Sequence, residues 1–201
     1  MGDNEVSSYP MASTVVTAAN ILEKIADHDK MRAQELAKEL DLNRSTVHRM
    51  LYTLQILGYV GKQDDGYYRL TFHLFEIGNS VLHNRDLIDS ARRSLLQLST
   101  DTGYTVNHAV LFEDETLYVD KASPPSYLQL DRSIGETEPL HCTSLGKTLL
   151  AFQSKEEQKR ILDSIELPSL TPYTITDRDE LEKELAAVRE RGYAVDNQEL
   201  A

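Results

Sequence analysis

The sequence has no apolar stretch long enough to cross a bilayer. Its longest purely apolar runs, such as Leu149-Leu150-Ala151-Phe152, span a few residues where a membrane helix needs about 20. It has one cysteine, Cys142, so it forms no internal disulfide, and no Cys/His set stands at zinc-finger spacing. Neither a metal nor a cofactor is expected. The N-terminal Met1-Gly2-Asp3-Asn4-Glu5-Val6 lacks the basic and apolar regions of a secretory signal. Basic charge is also scarce: 21 Lys and Arg stand against 33 Asp and Glu, a formal net charge of −12. That is the reverse of a whole-molecule basic footprint for nucleic acid. With 40% hydrophobic and 27% charged residues, the 201-residue chain reads as soluble and globular, of one or two domains. A cytoplasmic protein in a reducing compartment, with no membrane partner, is expected.

The charge is unevenly placed. Residues 1–70 hold 8 Lys and Arg and 10 Asp and Glu; residues 71–201 hold 13 and 23. From Leu42 to Gln63 there is no acid at all, while Arg44, Arg49 and Lys62 fall inside that window. The acidic load belongs to the second part, so two regions with different partners are expected.

Residues 1–13 read as a flexible tail. From Thr14, the apolar Val15, Ala18, Ala19, Leu22, Ile25 and Ala26 recur at helical intervals and are expected on one core face. A break at Asp27 to Lys30 ends this helix. A short second helix turns Leu36, Ala37 and Leu40 inward, and Asp41-Leu42-Asn43 is a tight turn whose Asn43 can cap the third helix. The third helix is expected to bury Val47, Met50, Leu51, Leu54 and Leu57 before Gly58 stops it. Its other face carries Arg44, Ser45, Thr46, His48 and Arg49, then Tyr52 and Gln55, none of them acidic. These side chains can donate to phosphates or read base edges. Asp64-Asp65-Gly66 then separates two β-prone runs, a short-range hairpin signal. Helix, short helix, turn, helix and hairpin make a winged helix-turn-helix over residues 14–71. Its third helix enters the major groove, and Tyr67 and Arg69 lie on the wing. A charged solvated face on an ordinary three-helix bundle is the plainer alternative. The series of features together favours DNA.

Phe72, Leu74, Phe75, Ile77, Leu82, Leu87 and Ile88 suggest a helical connector over residues 72–89. A further helix from Ser90 to Thr100 is expected to bury Ala91, Leu95, Leu96 and Leu98. The remainder, residues 90–201, is mixed α and β. Thr105 to Phe112 alternates, with Val106, His108, Val110 and Phe112 expected on one face. It pairs with Thr116 to Asp120 across a charged turn, and Tyr127 to Asp131 is a third candidate strand. Ser154 to Glu157 and Asp177 to Glu180 have the spacing of capping boxes.

Gly146-Lys147-Thr148 is not a phosphate loop, because His141 stands where that motif needs its first glycine. Thr143 and Ser144 at a helix N-terminus instead suit a carboxylate, with Gly146 permitting close approach, so a small organic acid is a reasonable effector. Plain capping is the structural alternative. His141 beside Cys142 invites a catalytic reading, yet no base-orienting carboxylate is placed with them, and no enzyme activity is expected. His108 reads as a structural histidine.

Residues 43–70 resemble the winged-helix half of the IclR family of bacterial and archaeal transcriptional regulators. The resemblance rests on Ser45-Thr46-Val47, Arg49-Met50-Leu51, Thr53-Leu54, Leu57-Gly58-Tyr59-Val60 and Gly66-Tyr67-Tyr68-Arg69-Leu70. A second family signature is similar to Pro139 through Ala151, and a third to Thr174-Ile175-Thr176-Asp177 with Arg191 through Asp196. The resemblance implies a GAF-like effector domain, connector packing between two subunits, and effector-pocket positions at Ser144, Leu145 and Asp196 beside Thr143. Arg32 departs from the family's usual Ser or Thr cap on the second helix. Similar proteins also continue past the Gly192 motif with strands that complete the ligand-binding sheet, so the effector domain is expected to be incomplete here.

The expected fold class is therefore α+β: a winged helix-turn-helix, a helical connector and a GAF-like effector domain. The expected function is sequence-specific regulation of catabolic genes by a homodimer or homotetramer on a double-stranded operator, responding to an organic or sugar acid. The alternative is a small-molecule-binding protein or enzyme whose helical N-terminal half serves oligomerisation.

Overall fold

Three apolar stripes, none wide enough to form a core alone, close the N-terminal unit of the computed structural model. The structure describes residues 10–83, 86–124 and 133–201, and the chain divides into compact units at residues 1–84 and 85–201. Helix α1 (Ser13–His28) contributes Ile21 and Ile25, α2 (Ala33–Glu39) contributes Leu36 and Ala37, and α3 (Arg44–Ile56) contributes Val47, Met50, Leu51 and Leu54. Asn43 caps α3 as expected: its Oδ1 accepts from the Thr46 N–H at 2.9 Å. Arg32 has no side-chain acceptor to cap α2, and Glu35 takes over by accepting from the Arg32 N–H at 2.7 Å.

Two expectations about this core need correcting. On α1 the buried stripe is centred on Ile21 and Ile25, while Val15, Ala19 and Ala26 are exposed. Leu57, expected inside, is 55% exposed, because α3 ends at Ile56 and the chain turns away through Gly58 at φ +82°. Val15, Ala18, Ala19, Leu22 and Leu57 instead line an apolar groove of about 660 Å³ between α1 and α3.

The wing is an antiparallel hairpin of β1 (Val60–Lys62) and β2 (Tyr68–Leu70), with Val60 opposite Leu70. Its loop turns where the Gly66 N–H donates to the Gln63 carbonyl at 3.0 Å, and Gly66 takes φ +83°, a conformation that favours glycine. Val60 and Tyr68 point into the core. Helix α4 (Phe72–His83) follows, with Phe72, Phe75, Ile77 and Val81 exposed.

The C-terminal unit opens with α5 (Asp86–Thr102). Leu96 and Leu98, expected to be buried, are about half exposed; among the described side chains of α5, Ser99 is the buried one, its hydroxyl donating to the Tyr104 carbonyl at 2.9 Å. The side chains of Leu82, Leu87 and Ile88 lie outside what the structure describes. A three-stranded antiparallel sheet, ordered β3 (Val106–Phe112), β4 (Glu115–Ala122) and β5 (Thr137–Pro139), is joined at its first turn by Glu113 and Asp114, both at positive φ. The expected alternation of Val106, His108, Val110 and Phe112 does not hold. The opposite set faces inward: Ala109 is buried, Leu111 packs on the core and Phe112 is exposed, while the register shift in this pair is taken up on β4, where Val119 is the extra residue. The candidate strand from Tyr127 to Asp131 lies outside the described residues; β5 pairs with β4 instead.

Three helices complete the unit: α6 (Ser144–Ala151), α7 (Lys155–Ser164) and α8 (Arg178–Arg191). Ser154 and Asp177 cap the last two by accepting from the Glu157 and Glu180 N–H groups at 3.1 and 2.9 Å. Leu140, Leu150, Ile161, Leu181, Leu185 and Val188 form the second core. No described helix is long and apolar enough to cross a membrane.

Candidate nucleic-acid interface and effector site

With Val47, Met50, Leu51 and Leu54 committed to the core, the 3.6-residue period leaves Ser45, His48, Arg49, Tyr52 and Gln55 on the outward side of α3, all exposed. Arg44 is exposed at the first turn and Thr46 is half-buried. The Ser45 hydroxyl donates to the Asn43 side-chain Oδ1 at 2.8 Å, so its lone pairs remain available for acceptance. Among the described residues, Arg44, His48 and Arg49 have no hydrogen-bonded or ionic side-chain partner. Several arginines elsewhere are occupied, although Arg93 on α5 has no such partner among the described residues. Arg92 holds Asp120, Arg160 holds Asp114 and Glu157, Arg178 holds Asp163 and Glu182, and Arg191 holds Glu184. The α3 cations are therefore exposed donors in an acid-free window.

The wing residues are less free. Arg69 pairs with Asp29 at 3.1 Å, and its buried Nε has no partner among the described residues. The Tyr67 ring lies under the Lys30 ammonium at 4.5 Å and the Arg32 guanidinium at 4.4 Å. Lys30 also reaches Asp65 at 3.5 Å. The Tyr67 N–H donates to Asp65, and with Lys30 and Arg32 nearby this holds the Asp65 carboxyl below its ordinary pKa. Sequence reasoning missed what organises the wing. Met31, in the α1–α2 link, forms a one-residue bridge with Tyr68 through reciprocal backbone bonds of 3.1 and 2.8 Å. A single-residue pairing leaves no periodicity to read.

In the second unit, Thr143 is buried as the N-cap of α6. Its hydroxyl accepts from the Gly146 N–H at 2.9 Å and donates to the Pro139 carbonyl at 3.2 Å. Ser144 and Leu145 follow on the first turn, half-buried. Gly146 answers a different need from the expected one. A Cβ there would stand 2.5 Å from the Leu140 carbonyl oxygen and 2.6 Å from its Cα, so the glycine admits the chain's own backbone. Asp196 is exposed, and its Oδ1 accepts from the Glu199 N–H at 2.8 Å.

The link between α6 and the Asp196 turn is a buried ion pair. The Lys147 ammonium, on a residue 1% exposed, bonds the Glu199 carboxylate and donates to the Val195 carbonyl at 2.7 Å. Sequence reasoning passed over both residues. The available signal was a lysine one and three residues from the inward Gly146 and Leu150 on an otherwise apolar helix. His141 is buried, and its ring nitrogen meets the Pro168 carbonyl at 3.0 Å. Burial pushes the Cys142 thiol up to about 11, helped by the Asp196, Glu138 and Glu199 carboxylates, so near neutral pH it carries no thiolate nucleophile. No group of three His, Cys, Asp or Glu among the described residues is placed to hold a metal.

Residues 14–64 match the profile of the IclR helix-turn-helix domain, and residues 79–201 match that of the bacterial transcriptional regulator IclR C-terminal region. The chain is 37% identical over 201 residues to the HTH-type transcriptional regulator KdgR of Escherichia coli K12, covering 99% of this chain and 76% of that protein. It is 37% identical over 188 residues to KdgR of Dickeya chrysanthemi, covering 93% of this chain but 62% of the relative. The crystal structure of Thermotoga maritima IclR superposes with a TM-score of 0.71 at 31% identity, over 94% of this chain and 77% of that one. The first profile lies within the first compact unit, with the exposed arginines of α3, and the second spans the whole of the second unit, with the capped α6. The chain belongs to the IclR family of transcriptional regulators.

Proposed function

We propose that this protein is a sequence-specific DNA-binding regulator of transcription, and that a small organic or sugar acid controls its hold on the operators of catabolic genes. The observation that carries the DNA half is the exposed set of Arg44, His48 and Arg49 on α3, without side-chain partners among the described residues, within a window that has no acid from Leu42 to Gln63. Two chains, as a homodimer or within a homotetramer, present two copies of α3 to half-sites one helical turn, or a multiple, apart. Arg44, Ser45, Thr46, His48 and Arg49 contact bases or phosphates, while Tyr67 and Arg69 on the wing approach the flanking backbone.

The effector half rests on α6. Thr143 already serves the Gly146 N–H, leaving the first-turn N–H groups and the Ser144 hydroxyl to meet a carboxylate at the positive end of the helix. Leu145 and the Asp196 turn, tied to the same helix through Lys147 and Glu199, complete the site. An effector then acts by binding one arrangement of the chain better than another.

Arg49→Ala tests the DNA assignment. Loss of a base-edge contact is expected to weaken operator binding by about 1–3 kcal/mol and relax sequence preference. Electrophoretic retardation with the DNA upstream of the protein's own gene, at two salt concentrations, provides the readout. A wild-type protein that forms no salt-dependent, sequence-preferring complex refutes this reading. It would favour a small-molecule-binding protein whose helical half serves oligomerisation.

A further inference from the structure

We propose that Lys30 and Arg32, neither of which lies on the recognition helix or the wing hairpin, form a second phosphate-gripping element of the DNA interface, with Tyr67 as its support. The inference rests on the DNA-binding reading above and assigns it a surface that the helix-turn-helix pattern did not single out.

The backbone pairing supplies the geometry. Met31 pairs with Tyr68, and both are buried in the core. In extended chain, neighbours of an inward residue point outward. Lys30, Arg32, Tyr67 and Arg69 therefore share the outer face of a small sheet made from the wing and the α1–α2 link. Arg32 is the N-cap of α2, the first helix of the helix-turn-helix, which crosses the DNA backbone in this class of motif. One residue thus stands at the backbone-crossing helix and touches the wing as well.

The chemistry suits a phosphodiester. Tyr67 has a cation at 4.5 Å and another at 4.4 Å from its ring centre, so two long, flexible side chains are positioned before DNA arrives. Arg32 spends one donor on the Asp65 carbonyl at 3.3 Å, and Lys30 meets the Asp65 carboxylate at 3.5 Å. A guanidinium has five N–H donors and an ammonium three, so both retain donors for phosphate oxygens. Asp65 keeps the cations over the ring and limits their attraction for DNA. The third cation of this face, Arg69, pairs with Asp29 through one nitrogen and likewise retains donors. Phosphates carry no sequence information, so the grip adds affinity and fixes register without changing which bases are read.

The test uses the whole chain and a duplex that the wild-type protein itself enriches from a random-sequence pool, alongside a scrambled duplex of equal length. Binding is followed by fluorescence anisotropy from about 50 to 200 mM salt. The double variant K30Q/R32Q is expected to bind both duplexes more weakly by a similar factor and to lower the salt slope by about 2 for each chain on the DNA, about 4 for a bound dimer. Its deficit relative to wild type then shrinks roughly tenfold across that salt range for each bound chain, roughly a hundredfold for a dimer. K30R/R32K keeps both charges and is expected to restore the slope, which a purely structural role for the pair would not require. A double variant with wild-type slope, or with weakened binding at unchanged slope, overturns the proposal. Arg49→Ala in the same assay separates the two ideas. If Arg49 matters and the slope of K30Q/R32Q does not move, only the grip fails. If the wild-type protein enriches no duplex, the DNA-binding reading itself fails.

Discussion

Replacing Lys147 by methionine is expected to loosen the second unit while sparing the first. Met matches the aliphatic stem of lysine, so the change removes an ammonium with little change in packing. Glu199, 5% exposed, would then keep its carboxylate in the core without a cation, and its Oε2 already has no partner among the described residues. Removing one member of a buried pair costs about 3–5 kcal/mol, because the other charge remains desolvated. The Val195 carbonyl also loses its 2.7 Å donor, part of the same loss. Removing both members is different. In K147M/E199L no charge stays behind, and the remaining penalty is the unsatisfied Val195 carbonyl, about 1–3 kcal/mol. The double variant should therefore be more stable than K147M alone. The two units need not unfold together, so a single melting curve is the wrong assay. Amide hydrogen exchange resolves them. Protection in α6 and in the turn from Val195 to Glu199 is expected to drop by about two to four orders of magnitude in K147M, recover substantially in K147M/E199L, and stay unchanged in α3. A double variant as unprotected as the sum of the two single variants would refute the coupling. Lys147 and Glu199 would then be independently solvated groups rather than a buried pair.

Two further perturbations probe other levels of the structure. Asn43→Ala removes the acceptor for the Thr46 N–H and the Ser45 hydroxyl, and should cost the first unit about 1 kcal/mol in urea unfolding, whereas Asn43→Asp keeps the cap. An equal loss in both variants would show that the side-chain cap is not what matters. Asp114 is held below its ordinary pKa by hydrogen bonds from Arg160 and Ser164. A carboxylate lowered in the folded state stabilises above its unfolded pKa of about 4 and loses that contribution as pH falls through the folded value. The second unit should therefore weaken on acidification below about pH 4, and Asp114→Asn should flatten that limb; an unchanged acid limb would remove Asp114 as its source.

The parts of the fold that were legible in the sequence are those that single residues specify locally. Asn43, Ser154 and Asp177 each announced a helix start, and each side chain accepts the N–H three residues on. Gly66 announced the wing turn. The errors were errors of phase and of distance. Helix α1 carries two overlapping apolar stripes, and the sequence does not say whether Ile21 or Val15 and Ala19 faces the core, because both sets have helical spacing. On β3 the set with Ala109 and Leu111 faces the core and Phe112 faces out, and alternation alone does not say which of the two faces is buried. The pairings that organise the candidate sites, Met31 with Tyr68 and Lys147 with Glu199, join residues 37 and 52 positions apart. Local patterning contains no term for either. At α6 the sequence located the helix start but misread Gly146, whose small size serves the Leu140 backbone.

The net charge of −12 illustrates why placement outweighs totals. At physiological salt the Debye length is about 8 Å, so charges farther than that from a phosphate contribute little to its attraction. What a DNA backbone meets is the local surface, and on α3 that surface has Arg44, His48 and Arg49 with no carboxylate bound to them among the described residues. The second unit holds 23 acids against 13 bases from residue 71 onward, and the described arginines there that make ion pairs are already held by carboxylates. DNA brought close to that unit meets an excess of acid and, among the described residues, only Arg93 as an arginine with no hydrogen-bonded or ionic partner. The same arithmetic that disfavours nucleic acid for the molecule as a whole thus restricts it to one face of α3, the wing and the α1–α2 link beside the wing. A protein of this composition should bind DNA in one orientation, with affinity falling steeply as salt rises. If Arg44, Arg49, Lys30 and Arg32 are the groups that displace counterions, each contributes about 0.9 to the salt slope, and charge-removing substitutions across the second unit leave that slope where it was.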